Sequence, residues 1–239
     1  MEETQQKSPF EEGKTLIFDK PLYWTSFDLV NKIRNKIRRE LGIKKIKVGH
    51  AGTLDPLATG LMIVCTGKNT KKITELTNKD KEYIATFHIG KTTPSFDLET
   101  EVDAIYPTDH ITKELVEETL NNFLGKQQQM PPLHSAKFID GKRAYEYARK
   151  GIEKELKPVD IEIKEIELID YNMPEVKVRI LCSKGTYIRS FARDFGKALN
   201  SGAYMSSLVR TKIGDFDLKD AYTLDTFDEL LHSLSNKNE

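Results

Sequence analysis

The feature that constrains this chain most is the segment from Gly49 to Gly67, GHAGTLDPLATGLMIVCTG. It places glycines, a histidine and one Asp-Pro pair directly before a continuous apolar run, Leu61 to Cys65. Glycine adopts backbone conformations closed to other residues, and a residue before proline is biased toward extended conformations. A short apolar run bounded by glycines is typical of a buried strand. The segment therefore predicts a tightly held loop that presents Asp55 at the start of a buried strand.

The role of Asp55 stays open on the residues alone. An Asp-Pro pair is more often part of a turn than of an active site. A phosphate-binding loop is another interpretation, but the glycine spacing matches neither GxxxxGK(S/T) nor GxGxxG. A turn residue and a catalytic carboxylate therefore remain the two interpretations of Asp55.

Two further segments contain side chains suited to a pocket. Ser183 to Arg189 follows an alternating strand and opens a predicted helix, and such junctions commonly bind anions or build pockets. A guanidinium that reached Asp55 would hold its carboxylate ionised and oriented; a surface or helix-packing role is the alternative for Arg189. Tyr83 lies in a predicted strand, where a half-buried structural tyrosine is the plainer interpretation.

The charge distribution bears on the partner. The 37 basic and 37 acidic residues cancel, which taken alone argues against a nucleic acid. Between residues 32 and 47, however, one acidic residue, Glu40, stands among eight lysines and arginines. Thr25 to Asp28 resembles a capping box, and helical spacing of apolar residues predicts a helix whose basic residues face outward. A basic face for RNA and a merely solvated helix face are both open. The apolar positions are Phe27, Val30, Ile33, Ile37 and Leu41; the bases are Lys32, Arg34, Lys36, Arg38, Arg39, Lys44, Lys45 and Lys47.

The remaining pattern predicts an α+β fold with a mixed, largely antiparallel sheet flanked by helices, because strands and helices mix without a βαβ rhythm. Residues 1–13 are polar and predict a loose arm, and residues 127–155 look like an excursion from the core. Strands are predicted at 15–18, 61–65, 81–90, 159–163, 176–182 and 208–216, and helices at 111–124, 188–199 and 223–234.

Composition limits the class further. Apolar residues make up 38% of the 239 residues and charged ones 31%, as in soluble globular proteins. No window suits a membrane span or signal peptide, so we expect a cytoplasmic protein. Cys65 and Cys182 lie in apolar runs and are expected to be buried structural thiols. The five histidines show no metal-ligand spacing.

Taken together, several motifs resemble the TruB family of tRNA pseudouridine synthases. The resemblance runs in order from Lys14 to Leu231, and HAGTLDPLATG is its most specific part. The other motifs are Asp19–Pro21, Lys81–Tyr83, Pro94–Asp97, Pro131–Lys137 with Tyr145–Arg149, and Cys182–Arg189.

This resemblance implies roles residue by residue. Asp55 would be the catalytic carboxylate, Arg189 its partner, and Tyr83 the ring that stacks on the flipped uracil. Tyr187 and Leu208 would line the pocket, His50 would fill the gap left in the T-loop, and Lys20 and Pro21 would support the pocket. The RNA backbone would be held by Lys32, Arg34, Lys36, Arg38, Arg39, Lys142, Arg143 and Arg149.

The resemblance also implies an activity: isomerisation of uridine 55 in the T-loop of tRNA to pseudouridine, by base flipping and without a metal or organic cofactor. We expect one catalytic domain over residues 14–239, with an RNA-binding insertion, no C-terminal domain of PUA type, and a monomer. Two alternatives keep the fold: an RNA-binding module that folds tRNA without catalysis, and a synthase for a different uridine.

Overall fold

A computed structural model describes residues 8–133, 138–139, 142–143 and 156–235. The chain divides into two compact units. The first unit comprises Met1–Lys79 and Val209–Glu239, and the second comprises Asp80–Leu208. Among the described residues, no helix is long and apolar enough to cross a membrane.

The first unit is built on strands β1 (Thr15–Lys20), β2 (Val48–Ala51) and β3 (Ala58–Thr66). β3 pairs antiparallel with both others, with Thr15 opposite Cys65 and Val48 opposite Thr66. Every residue of β3 except Thr59 is buried, as expected for an apolar run in the centre of a sheet. Phe216–Asp217 of this unit form a further short strand, β13.

Over residues 8–79 and 209–235 the first unit has four α-helices: α1 (Pro9–Glu12), α2 (Ser26–Glu40), α3 (Ile73–Thr77) and α6 (Leu224–Ser235). The predicted capping box starts α2, because the Asp28 amide donates to Thr25 Oγ1 at 3.0 Å and the Thr25 amide to Asp28 Oδ2 at 2.9 Å. The inner face of α2 packs with β1, β3 and α6 in a core that includes Ile33, Phe18 and Phe227.

Two predictions about the faces of α2 are wrong. Phe27 is 63% exposed, whereas Lys36 is buried and pairs with Asp228. At 3.6 residues per turn Phe27 lies about 120° from Ile33, the centre of the buried face, and Lys36 only about 60°. The core therefore takes up Lys36 and leaves Phe27 in solvent.

The expectation of a loose arm over residues 1–13 is wrong from Ser8 onward. Ser8 and Glu11 form a capping box that starts α1, with Pro9 as its first residue. Phe10 is 2% exposed and joins the core with Phe227, ring against edge at 6.2 Å. Residues 1–7 lie outside the described residues.

The second unit contains a sheet in the order β12-β4-β11-β10-β7. Three pairs of neighbouring strands in it are antiparallel: β4 with β11, β11 with β10, and β10 with β7. Gln127 to Gln129 thus belong to the sheet rather than to an excursion. The strands are β4 (Lys81–Ile89), β5 (Lys91–Thr92), β6 (Ala104–Ile105), β7 (Gly125–Gln129), β8 (Phe138–Ile139), β9 (Lys142–Arg143), β10 (Val159–Asn172), β11 (Glu175–Cys182) and β12 (Ala203–Ile213), whose last residues fall in the first unit.

In the described part of the second unit, two helices are present: α4 (Lys113–Asn121) and α5 (Ile188–Ala198). Phe191 and Phe195 of α5 pack on Phe87, with ring centroids 5.5 and 5.8 Å away. The predicted fold class, a largely antiparallel mixed sheet with flanking helices, is confirmed. Cys65 and Cys182 are buried free thiols, also as predicted. The predicted helix over 111–124 is shorter than expected, and Leu124 is exposed, because the chain turns at Gly125 into β7.

We predict that Gly60→Ala destabilises the protein far more than Gly42→Ala. Gly60 has a φ of 101°, and a Cβ there would lie 2.4 Å from the Arg210 carbonyl oxygen. Gly42 has a φ of 64° but nothing within 4 Å of a Cβ. Chemical denaturation should show a loss of about 3 kcal/mol or more at Gly60 and about 1–2 kcal/mol at Gly42. Equal losses would contradict the close contact.

Candidate active site

The loop between β2 and β3, residues 52–57, carries Asp55 and is held by a buried arginine. Arg210 in β12 is 1% exposed and donates from Nε to the Leu61 carbonyl at 2.7 Å. It also donates to the carbonyls of Gly52, at 3.1 Å, and Thr53, at 3.4 Å. A buried guanidinium is tolerated only when its donors are satisfied, so the loop carbonyls and the arginine fix one another.

The residues on both sides of Asp55 are bonded to the segment that starts α2. Ser26 Oγ accepts from the Leu54 amide at 2.8 Å and donates to the Leu54 carbonyl at 3.0 Å. The Tyr23 amide donates to the Pro56 carbonyl at 2.8 Å. The Asp55 carbonyl itself accepts from the Ala58 amide at 3.1 Å. The half-buried Asp55 side chain is therefore carried on a backbone whose path is set before any substrate binds.

Lys20 places a cation near this carboxylate. It is fully buried, and its Nζ donates to the carbonyls of Pro21, at 2.8 Å, and Trp24, at 2.6 Å. Burial lowers the pKa of Lys20 from 10.5 to about 8, Asp55 opposes this by raising it, and Arg210 lowers it further. The ammonium and the Asp55 carboxylate therefore stabilise each other electrostatically.

His50 lies in β2, on the other side of the loop. Burial, with the Arg210 charge as a second cause, lowers the pKa of His50 below its usual 6.5, against an opposing backbone hydrogen bond at Gly52. His50 is therefore neutral at pH 7, which suits a ring that packs against a base better than one that binds phosphate.

In the second unit, Arg189 forms a buried ion pair. Its Nε lies 3.6 Å from Asp97 Oδ2, and the two side chains are 5% and 3% exposed. The loop before Asp97 is cross-linked around Ser95, whose carbonyl accepts from Arg189 at 3.4 Å. The Asp97 carbonyl accepts from Thr93 Oγ1 at 2.7 Å, and Asp97 Oδ1 accepts from the Glu99 amide at 2.9 Å. This loop therefore holds a carboxylate for Arg189 in a fixed place.

Tyr187 stands at the start of α5, where its backbone is clamped by a buried glutamine. Gln129 in β7 accepts from the Tyr187 amide at 2.8 Å and donates to its carbonyl at 3.1 Å. The junction between β11 and α5 is thus fixed by a side chain of the sheet.

Tyr83 in β4 and Leu208 in β12, the other two predicted pocket residues of this unit, are each 8% exposed.

The structure sorts the predicted residues into two groups. Of the predicted pocket residues, Asp55, Lys20, Pro21 and His50 lie in the first unit, and Tyr83, Tyr187, Arg189 and Leu208 lie in the second. Four residues that hold these groups had no predicted role: Arg210, Ser26, Gln129 and Asp97. For Arg210 a signal existed, because alternation from Leu208 puts it on the inward face of a strand.

The basic surface of the first unit differs from the predicted one. Lys32, Arg38 and Arg39 are exposed, but Arg34 is half-buried and donates to Asn31 Oδ1 at 2.7 Å and the Val48 carbonyl at 3.2 Å. Side chains of Lys142 and Arg143, and all of Arg149, lie outside the described residues.

A basic cavity of about 350 Å³ lies elsewhere on the first unit. Lys45 and Lys47 line it together with Lys68 and Lys71, which a 3-10 turn over Gly67–Lys72 presents. Glu11 of α1 is an acid in its wall. Lys68 and Lys71, which follow β3, thus add to the positive charge of residues 32–47.

Comparisons with known proteins agree with this architecture. The profile described as "TruB family pseudouridylate synthase (N terminal domain)" matches residues 38–188, and "tRNA pseudouridylate synthase B C-terminal domain" matches 189–239. A tRNA pseudouridine synthase B from Phocaeicola vulgatus is 62% identical over 222 residues, covering 93% of this chain and 94% of that one. One from Bacteroides thetaiotaomicron is 55% identical, covering 96% and 98%.

A solved structure has the same fold. A crystal structure of a Cbf5-Nop10-Gar1 complex contains a chain 26% identical, with a TM-score of 0.71 over 96% of this chain and 57% of that one. These matches define the class, and the protein is a pseudouridine synthase. More narrowly, the chain belongs to the TruB family of these enzymes, as the motifs around Asp55 indicated.

We predict that Asp55→Asn lowers the pKa of Lys20 below its wild-type value of about 8, because Asp55 is the largest influence raising it. Titration of ¹³C-labelled lysine by NMR measures this directly. Asp28→Asn is the matched control and should shift the pKa less, since Asp28 contributes least of the named groups. An unchanged Lys20 pKa in Asp55→Asn would show that the two charges do not interact.

Proposed function

We propose that this enzyme isomerises uridine 55 in the T-loop of tRNA to pseudouridine, with Asp55 as its catalytic carboxylate. The observation that carries the proposal is the loop itself: Asp55 stands between two residues whose backbones are bonded to fixed partners, beside a buried cation. The relatives named tRNA pseudouridine synthase B, up to 62% identical among those compared, support tRNA as the substrate.

The reaction needs few groups. The N1–C1′ bond of uridine breaks, the uracil turns, and a C5–C1′ bond forms, while C5 loses its proton to solvent and N1 takes one up. Atoms and charge balance within the nucleotide and one exchanged proton, so no redox carrier enters the equation. The base must leave its stack to be reached. A carboxylate can act by attacking C1′ or C6, or by removing the C2′ proton.

The second unit supplies the groups that we propose to handle the flipped base. Tyr83 provides a stacking plane for the uracil, and Tyr187 and Leu208 line its pocket. Arg189 orients the catalytic carboxylate, with Asp97 holding the guanidinium. His50, neutral at pH 7, fills the place that the uridine leaves in the T-loop, and Lys20 with Pro21 supports the pocket.

We propose that RNA phosphates contact basic side chains of the first unit: Lys32, Arg38, Arg39 and the lysines of the basic cavity. Lys36 has no part in this, because it is buried against Asp228. The roles proposed for Lys142, Arg143 and Arg149 stay predictions, as do Arg34 as a phosphate contact, the cytoplasmic location and the monomeric state.

The test is tritium release from an unmodified tRNA transcript carrying C5-tritiated uridine. We expect release by wild type and a loss of at least about a thousandfold in Asp55→Asn, since a group that acts on the reacting atoms is removed. Transcripts with uridine 55 replaced by cytidine should release no tritium above background. Release from that transcript equal to the unmodified one would move the target to another uridine, and full activity of Asp55→Asn would end the catalytic assignment.

We also expect Asp97→Asn to lower both activity and stability. Its charge faces Arg189 in a buried pair, so neutralising it should cost about 3 kcal/mol of unfolding free energy and about tenfold in kcat. Asp103→Asn is the matched control, because Asp103 is exposed and its carboxylate accepts from a hydroxyl, Thr92 Oγ1, at 2.6 Å. Equal effects of the two substitutions would rule out a special role for the Arg189 pair.

A further inference from the structure

Tyr23 combines an unfavourable backbone with an exposed ring. Its φ is 66°, in the left-handed region that glycine adopts freely and that costs other residues about 1–2 kcal/mol. The side chain is 75% exposed, so packing does not offset that cost. An exposed apolar side chain alone needs no explanation, but one held in a strained conformation points to a function.

The other described non-glycine residues with positive φ have ordinary explanations. Asn200, at 51°, is a residue type that tolerates this region. Phe96, at 64°, is half-buried, and the Arg193 guanidinium lies 5.1 Å from its ring centroid. Tyr23 has neither explanation, which makes it the exception among the described residues.

The position of Tyr23 relates it to the catalytic loop. Its amide donates to the Pro56 carbonyl at 2.8 Å, and Pro56 directly follows Asp55. Three residues further on, Ser26 is bonded to Leu54 on the other side of Asp55. Phe27, expected in the core, is 63% exposed, and Leu22 is 45% exposed. The segment that fixes the loop therefore exposes three large apolar side chains between residues 22 and 27.

We propose that the Tyr23 ring stacks on a nucleobase of the substrate RNA next to the target uridine. The inference rests on the proposed function and adds a specificity contact to it. Two features favour RNA as the partner of the Tyr23 ring. The segment is continuous with the Asp55 loop, and the helix that it starts carries the exposed basic side chains Lys32, Arg38 and Arg39. Stacking on an aromatic ring tolerates any base and needs an exposed face.

Tyr23→Gly separates this function from a structural role. Removal of the ring should raise KM, and the Kd for a T-arm stem-loop, about tenfold, with KM changed more than kcat. The melting temperature should stay the same or rise, because relief of the left-handed conformation offsets the added freedom of glycine in the unfolded chain. Tyr23→Phe should restore wild-type binding, since it keeps the ring. Ile169→Ala is the control for loss of an exposed apolar side chain elsewhere; Ile169 is 44% exposed.

The partner base is found by a scan of stem-loops that each lack one base. At one position, removal of the base should raise the Kd of wild type for the stem-loop about tenfold relative to the intact RNA. The same removal should raise the Kd of Tyr23→Gly less than about twofold. Tyr23→Gly with wild-type Kd, or with a melting temperature lower by more than about 4 °C, would overturn the proposal. Wild type that binds the stem-loop yet releases no tritium from it or from tRNA would end the proposed function, while the binding comparison would still decide the role of Tyr23.

Discussion

Arg210 is the residue on which the rest of the first unit's site depends. Its guanidinium is buried, and the acceptors that make this possible are carbonyls of the Asp55 loop and of Leu61 in β3. Without them the charge would be too costly to bury, and without the charge the loop would lose its bonds to the sheet. Arg210 also adds a positive potential that lowers the pKa values of Lys20 and His50. One side chain thus sets the path of the loop and adds to the effect of burial, which is the main cause that lowers these two pKa values.

The two units use the same principle with different residues. In the first, buried donors hold the backbone beside the Asp55 carboxylate. In the second, Gln129 clamps the backbone of Tyr187, and Asp97 holds Arg189 from a loop cross-linked by hydroxyl groups. A reaction that only rearranges bonds within one nucleotide gains most from such preorganisation, because correct placement of base, sugar and carboxylate is the main requirement.

Much of the fold could be predicted from periodicity. The apolar run after Gly60 became β3, and the alternation in residues 159–163 and 176–182 became β10 and β11. The capping box at Thr25 set the start of α2, but the face of the helix was misjudged because Phe27 fitted the apolar spacing and Lys36 did not. Hydrophobicity alone does not show that an aspartate of α6 will pair with a buried lysine.

The site was predictable only in part. Asp55 stood out by its glycines and proline, and the role proposed for it comes from the resemblance. Three residues that hold the site act through partners far away in the chain. The partner of Ser26 is 28 positions away and that of Gln129 is 58, while Arg210 binds residues up to 158 positions away. No local sequence pattern predicts such pairs. The strain at Tyr23 was likewise invisible, because the sequence shows a tyrosine and not its φ.

The central claim is that the loop carrying Asp55 is fixed before RNA binds. Native-state hydrogen exchange of the Leu54 and Ala58 amides in the RNA-free enzyme tests it most directly, since Ser26 and the Asp55 carbonyl accept from them. Our account predicts protection within about 1 kcal/mol of the β3 amides. Exchange at the rate of an unfolded chain, with protection arising only when RNA is added, would contradict it.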